Sequence, residues 1–375
     1  MNKIILIGNG FDLTHGYKTS YKHFIDDFWE SKANKFITAY LNEEKELKTK
    51  GTCNIYFQPD DEVISLFELK YTPKEIPKEI LEKYGQEKMN SFLMFIGANA
   101  NRNYKFTNQF LFQITSNLSL NKWVDIEIEY YKALIECSTG ERSIVELNKE
   151  FILIKKELEK YLISEISRKR PPLQSINNLI DSFIINNSIN NGIQATSSDK
   201  TLFLSFNYTN TEQQYVDELI NGTKKDVKCI HIHGEINKSD NPIIFGYDDN
   251  ADEKQKSLLE KGNDFLQNIK SYYYNDNITQ LQSFINSEKY EILIMGHSCG
   301  ISDRTLLKLL FEHENCMNIK IYYYVDNNGN DDYTEKKMNI TRILGEMSIN
   351  TKIVPKSRCE PLSDISRLLP NPDGT

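Results

Sequence analysis

Apolar positions along this chain follow two rhythms. Short unbroken runs of β-branched and aromatic residues stand near both ends, and a helical rhythm fills the middle. The runs are Lys3–Ile7, TLFLSF (201–206), KCIHIH (228–233), NPIIFGY (241–247), EILIMG (291–296) and IKIYYYV (319–325). Runs this short, bounded by Gly, Asn and Asp, predict buried strands. Between several of them apolar residues recur every three or four positions, as in 211–220 and 305–312, and predict helices. Strands that alternate with helices predict an α/β, Rossmann-like fold with a mainly parallel sheet covered on both faces. After the first strand, 20–29 reads as a helix, with Thr19 and Ser20 as candidate N-caps.

The middle of the chain predicts helices over 33–50, 87–98, 123–136 and 144–168. In the last, Leu147, Phe151, Ile154, Leu158, Leu162 and Ile166 form one apolar face. Pro171 and Pro172 follow it, and 186–198 is polar and reads as a loop. The organisation expected is a nucleotide-binding core from 1–30 plus 196–355, a helical insertion or lid over 31–195, and a C-terminal tail over 356–375.

Composition narrows the partners. Lys and Arg number 45 against 53 Asp and Glu, a formal charge of -8 and a pI near 5.5. That balance gives no general attraction to nucleic acid or to an anionic membrane. No apolar stretch approaches the roughly 18–20 residues of a membrane span. Gly-Asn-Gly cuts the first apolar run too early for a secretory signal. A cytoplasmic protein is therefore expected. The six cysteines form no C-x-x-C pair and read as reduced thiols. Cys299 reads as a small packing residue.

Four of the predicted strands end in polar clusters. They are Gly8, Asn9, Gly10 and Asp12; Asn207, Tyr208, Thr209 and Asn210; His233, Gly234 and Glu235; and Gly296, His297, Ser298, Ser302 and Asp303. Parallel sheets bind ligands outside the carboxyl ends of their strands, so four such ends predict one shared site. The opening GNGFDL does not satisfy the dinucleotide fingerprint. Leu13 stands where the third glycine belongs, and Asp26 and Asp27 fall in the predicted helix. Gly8 and Gly10 would still let a backbone approach phosphate through exposed N–H groups. Asp12 suits sugar or loop hydroxyls.

His231 and His233, two apart on a strand, would share a face and with Glu235 offer a row of metal ligands. A further ligand is missing from the local sequence, and no metal is expected. In the alternative, His231 packs under the sheet and His233 is a general base, titrating near pH 6.5 if unshifted. The Asn207 amide can orient water or a ribose hydroxyl. In WVDIEIEYY (123–131), Asp125 and Glu129 would share one helix face, and Trp123 and Glu127 another.

GNGFDLTHGYKTSY, WVDIE, SFNYTNT, IHIHGE with the later IIFGYDD, and GHSCGISD occur in an order and spacing that resemble the AbiH family of bacteriophage abortive-infection proteins. That pattern in turn is similar to sirtuin-like NAD-binding proteins, including antiphage NAD hydrolases. Gly8-Asn9-Gly10 resembles their glycine-rich first turn, Asn207 their strand-end asparagine, His233-Gly234 their His-Gly pair, and Gly296-His297-Ser298 their later Gly-x-Ser turn. The zinc-binding cysteine module of true sirtuins is missing. The resemblance implies an antiviral-defence effector that binds NAD and hydrolyses its nicotinamide–ribose bond. Asn207 and His233 would then be catalytic. Gly8, Asn9, Gly10, Asp12, Thr209, Gly234, Gly296, Ser298 and Asp303 would bind the nucleotide, the last two near its adenosine half. Glu127 would reach in from the lid. The partners implied are a nucleotide, a second copy of the chain and a phage-derived trigger. The alternatives are a metal-dependent phosphoesterase or nuclease, and a non-catalytic nucleotide sensor.

Overall fold

In a computed structural model, residues 1–31, 55–56, 70–71, 108–121, 125–185, 199–223, 226–248, 257–326, 328–345 and 351–362 are described. The expected helices over 33–50 and 87–98, the loop over 186–198 and Trp123 lie outside these residues. The chain divides into two compact units, Met1–Thr19 with Glu159–Thr375, and Ser20–Leu158.

The first unit is built on a parallel sheet. Its strands are β1 (Asn2–Ile7), β4 (Thr201–Ser205), β5 (Val227–His231), β6 (Tyr290–Met295) and β7 (Cys316–Tyr322), in the order β5-β4-β1-β6-β7. Every pairing is parallel, with Ile5 opposite Phe203 on one side and Leu293 on the other. Unbroken apolar runs are required because both faces are covered. Ile4, Leu6, Leu204 and Ile292 face one core, which takes Leu281, Phe284, Leu307 and Leu310 from helices Asn275–Ser287 and Arg304–Glu312. Ile5, Ile7, Phe203 and Leu293 face the other, which takes Ile176, Ile180, Tyr215 and Val216 from helices Gln174–Ile185 and Gln213–Thr223. Helix Gln174–Ile185, read from the sequence as part of the insertion, therefore builds the sheet's own core. The connections reverse direction between β1 and β6, the point where open α/β sheets bind ligands.

NPIIFGY is not a strand. It closes a tight loop instead: Glu235 N–H donates to Asn241 O, and Ile244 N–H to His233 O. Pro242 has no N–H to give a ladder. A side chain at Gly246 would meet Asn268 O at 2.0 Å.

The second unit is helical, with a short ribbon that pairs β2 (Ile55–Tyr56) with β3 (Lys70–Tyr71). Ser20 caps helix 21–31, its Oγ accepting from His23 N–H at 3.3 Å. Helix Ile126–Thr139 starts later than expected because Asp125 is its N-cap. The Asp125 carboxylate accepts from the amides of Glu127 and Ile128, so it does not share a face with Glu129. In this unit Tyr130 stacks on Phe151, and Phe110 meets both rings edge-on.

Candidate functional site

The carboxyl ends of β1, β4, β5 and β6 meet along one edge of the sheet. At the reversal point the first turn and the GHSCG turn are pressed together. A side chain at Gly8 would lie 2.5 Å from His297 Cα, and one at Gly296 would lie 2.0 Å from Phe11 N. Gly296 also sits at φ +77, which glycine adopts without strain. The Gly8 amide donates to Met295 O and the Gly10 amide to Gly296 O. This corrects the expectation of exposed phosphate-binding N–H groups: both are used to join the two turns. The glycines serve close approach of backbone to backbone. Asn9 accepts a hydrogen bond from the Thr19 hydroxyl at 2.6 Å.

Asn207 comes two residues after β4. Its Nδ2 donates to Gly8 O at 3.1 Å, which fixes the amide and turns Oδ1 to other use. His233 and His297 flank Phe206, with ring centroids 5.1 and 4.5 Å away. Between the two histidines stands Asp303. Its Oδ1 is 3.3 Å from His233 Nε2, its Oδ2 is 3.4 Å from His297 Nε2, and Lys270 Nζ donates to Oδ1 at 2.9 Å. The resemblance implies a place near an adenosine for Asp303; here it is the hub of the histidine cluster.

The protonation states follow from these contacts. Cys299 N–H donates to His297 Nδ1 at 2.9 Å, so the ring's proton is on Nε2, facing Asp303. Cys299 holds a positive φ of 54 to make this bond, and its thiol is fully buried and pushed up to about 12. It is a packing residue, as its sequence context suggests. Burial opposes ionisation of Asp303, but Lys270, His233 and His297 hold it well below the usual carboxylate range. Burial and the nearby Lys270 ammonium push His233 down to about 3, despite Asp303. The unshifted value near 6.5 expected for this histidine is thus corrected. The ring is neutral at neutral pH, and its buried Nε2 makes no hydrogen bond.

Lys270 and Tyr274 carry no sequence signal. Lys270 has a fully buried side chain that also donates to Ser302 O at 2.7 Å. Tyr274 stacks on His233, centroids 6.0 Å apart at 17°. Asp248, in the IIFGYDD segment, accepts from Thr305 N–H at 2.7 Å and fixes the start of helix Arg304–Glu312. Ser298 is exposed, and its carbonyl accepts from Asn339 Nδ2 at 2.9 Å. No hydrogen bond among the described residues joins Ser298 to the cluster.

A second group lies on the other face of the sheet. β5 ends at His231, and the turn through Gly234 (φ +76) redirects the chain beyond it. His231 and His233 therefore do not share a face. His231 Nε2 is 2.8 Å from Glu212 Oε1, while His233 turns to Asp303. Burial would lower His231, but Cys229 and Glu212 beside it raise it to about 11. Asp12 belongs to this side. It accepts from the Thr209 hydroxyl at 2.5 Å and is 1% exposed, and burial raises it to about 6. Thr209 and Asp12 thus hold each other. A side chain at Gly234 would strike Pro242 O at 2.1 Å, so that glycine serves its loop.

A family model described as bacteriophage abortive infection AbiH matches residues 4–58 and 81–325. The chain belongs to the AbiH family. Its role is accordingly in phage abortive infection. The match runs from β1 past Asp303 and so spans Asn207, His233, Lys270 and Asp303. A search of curated proteins found no match. Among the described residues no helix is long and apolar enough to cross a membrane. Glu127 lies in the second compact unit, buried in the first turn of the helix that Asp125 caps.

Proposed function

We propose that this AbiH member is an abortive-infection effector that binds NAD at the carboxyl edge of its sheet and hydrolyses the nicotinamide–ribose bond. One observation carries the reading: Asp303 joins His233 and His297, and Asn207 holds the carbonyl of Gly8, which packs on His297, where the sheet connections reverse. The sequence likeness to sirtuin-like NAD hydrolases supplies the substrate.

Glycosidic cleavage passes through positive charge on the sugar, so the site must hold the ribose and deliver water. Asn207 Oδ1 accepts from that water or from a ribose hydroxyl. The C1′–N bond breaks and its electron pair leaves with nicotinamide. Water oxygen bonds to C1′, and its proton passes to His233 Nε2. A base must begin unprotonated, and burial keeps His233 so. The Asp303 carboxylate steadies the imidazolium that forms, and His297 and Lys270 hold that carboxylate in place. The glycine amides are given no phosphate in this scheme.

The test is nicotinamide release from NAD by the purified full-length protein, alone and with extract of phage-infected cells. Wild type is expected to release nicotinamide, and Asn207→Ala and His233→Ala each to reduce the rate by about 100-fold or more, in the range of lost general-base catalysis. Release that survives both substitutions overturns the assigned roles. No release by wild type in either condition overturns the enzymatic reading, and NAD binding without release marks a sensor.

A further inference from the structure

The Glu212, Cys229 and His231 side chains each offer one ligand atom, and these atoms all lie within 4.8 Å of one another. Glu212 Oε1 is 2.8 Å from His231 Nε2 and 3.7 Å from Cys229 Sγ. The elements that bring them together are neighbours. Cys229 and His231 are two apart on edge strand β5, and Glu212 immediately precedes helix Gln213–Thr223.

Two further features point to a cation. Glu212 is fully buried, yet its Oε2 has no hydrogen-bond partner. An unpartnered buried carboxylate oxygen is costly unless something positive compensates it. His231 Nδ1 faces Asn207 O at 3.3 Å. With Nδ1 directed at that carbonyl, Nε2 faces Glu212 Oε1, the position in which a metal can replace a proton. Binding would exchange the Nε2 proton for the metal and leave imidazole and carboxylate as its ligands. A backbone carbonyl that orients the far nitrogen of a ligating histidine is a common outer support in metal sites.

We propose that Glu212, Cys229 and His231 bind a zinc-class divalent cation. Tetrahedral zinc separates N and O ligands by about 3.3 Å, and S and O ligands by about 3.6 Å. The observed 2.8 and 3.7 Å lie close to that, so binding requires His231 and Glu212 to part by only about 0.5 Å. Mixed thiolate, imidazole and carboxylate donors select zinc over magnesium or calcium. The site fastens β5 to the segment after β4. Through His231 Nδ1 it also steadies the Asn207 backbone, whatever ligand Asn207 serves. His233, which the sequence suggests as a partner to His231, has no part in it.

The experiment uses full-length protein freed of metal by chelator and then titrated with zinc or cobalt(II). Elemental analysis is expected to find one tightly held zinc per chain. The cobalt form should show a thiolate charge-transfer band and intense tetrahedral ligand-field bands. Cys229→Ser should remove the charge-transfer band, and His231→Gln should weaken binding at least 10-fold. Cys359→Ser, elsewhere in the unit, should change neither. Absence of stoichiometric metal in wild type, or a thiolate band that persists in folded Cys229→Ser, overturns the proposal. Should Cys229→Ser not fold, the wild-type cobalt spectrum decides: ligand-field bands without sulfur charge transfer overturn it equally. Nicotinamide release is not a readout here, so failure of the NAD reading leaves this test intact.

Discussion

His233 and Asp12 are buried ionisable side chains whose pH effects have opposite sign. An unfolded histidine titrates near 6.5, and folded His233 is pushed down to about 3. Between those values the unfolded chain holds a proton that the folded chain lacks. Stability from His233 is complete above about 6.5 and is lost as pH falls toward 3, at about 1.4 kcal/mol per pH unit. Asp303 is also depressed and adds to the loss below about pH 4. Asp12 is raised to about 6, so its contribution falls as pH rises from about 4 to 6. The groups that face His233 are Asp303, Lys270, His297, Phe206 and Tyr274. Denaturant midpoints measured from pH 7.5 to 5 should fall with pH more steeply in wild type than in His233→Asn. Equal slopes would mean that His233 is not buried neutral. The residue types at this site were legible in the sequence because they stand at strand ends. Lys270 was not, because its local sequence, QNIKSYYY, has no pattern that distinguishes a buried lysine from a solvated one.

Among the elements, the glycine turns and the helix caps are the most exposed to single substitutions. Gly296→Ala would place a methyl group 2.0 Å from Phe11 N at a positive φ. Backbone has to move on both sides, so the expected cost is several kcal/mol and loss of soluble protein. Expression with a wild-type melting temperature would show that the two turns are not locked together. Asp125→Ala should be milder, removing two hydrogen bonds at the start of helix Ile126–Thr139 for about 1 kcal/mol. Chemical denaturation measures it, and a change below about 0.3 kcal/mol would deny the cap. Strand limits emerged from apolar runs to within a residue or two at Asn2–Ile7 and Tyr290–Met295, whereas the run 319–325 missed β7 (Cys316–Tyr322) by three residues at each end. NPIIFGY has the same composition and failed as a strand. What decided it was Pro242 and the carbonyl above Gly246, the second a tertiary fact.

For the whole molecule, the topology makes β1 the keystone. It pairs with β4, some 200 residues on, and with β6, nearly 290 residues on. Its amides in Asn2–Ile7 alternate between the two neighbours, so freeing the whole strand requires both to separate. Hydrogen exchange should therefore be slowest in β1, β4 and β6 and faster in edge strands β5 and β7. Equal protection of β5 and β1 would contradict the strand order, unless metal is bound at β5, in which case chelation should restore the difference. A Rossmann-like sheet with these separations also predicts slow folding, since each central pairing closes a very long loop.

Periodicity in the sequence was enough to determine the α/β class, the parallel sheet and the four polar strand ends. Each of those depends on local burial, and burial repeats at two or 3.6 residues. Which side chains became partners was settled only in three dimensions. Asp303 joins His233 and Lys270, and Glu212 joins His231 and Cys229, across strands whose separation along the chain leaves no periodic trace. The turn at Gly234 sent two histidines two positions apart to opposite faces, because a strand's alternation ends where its ladder does.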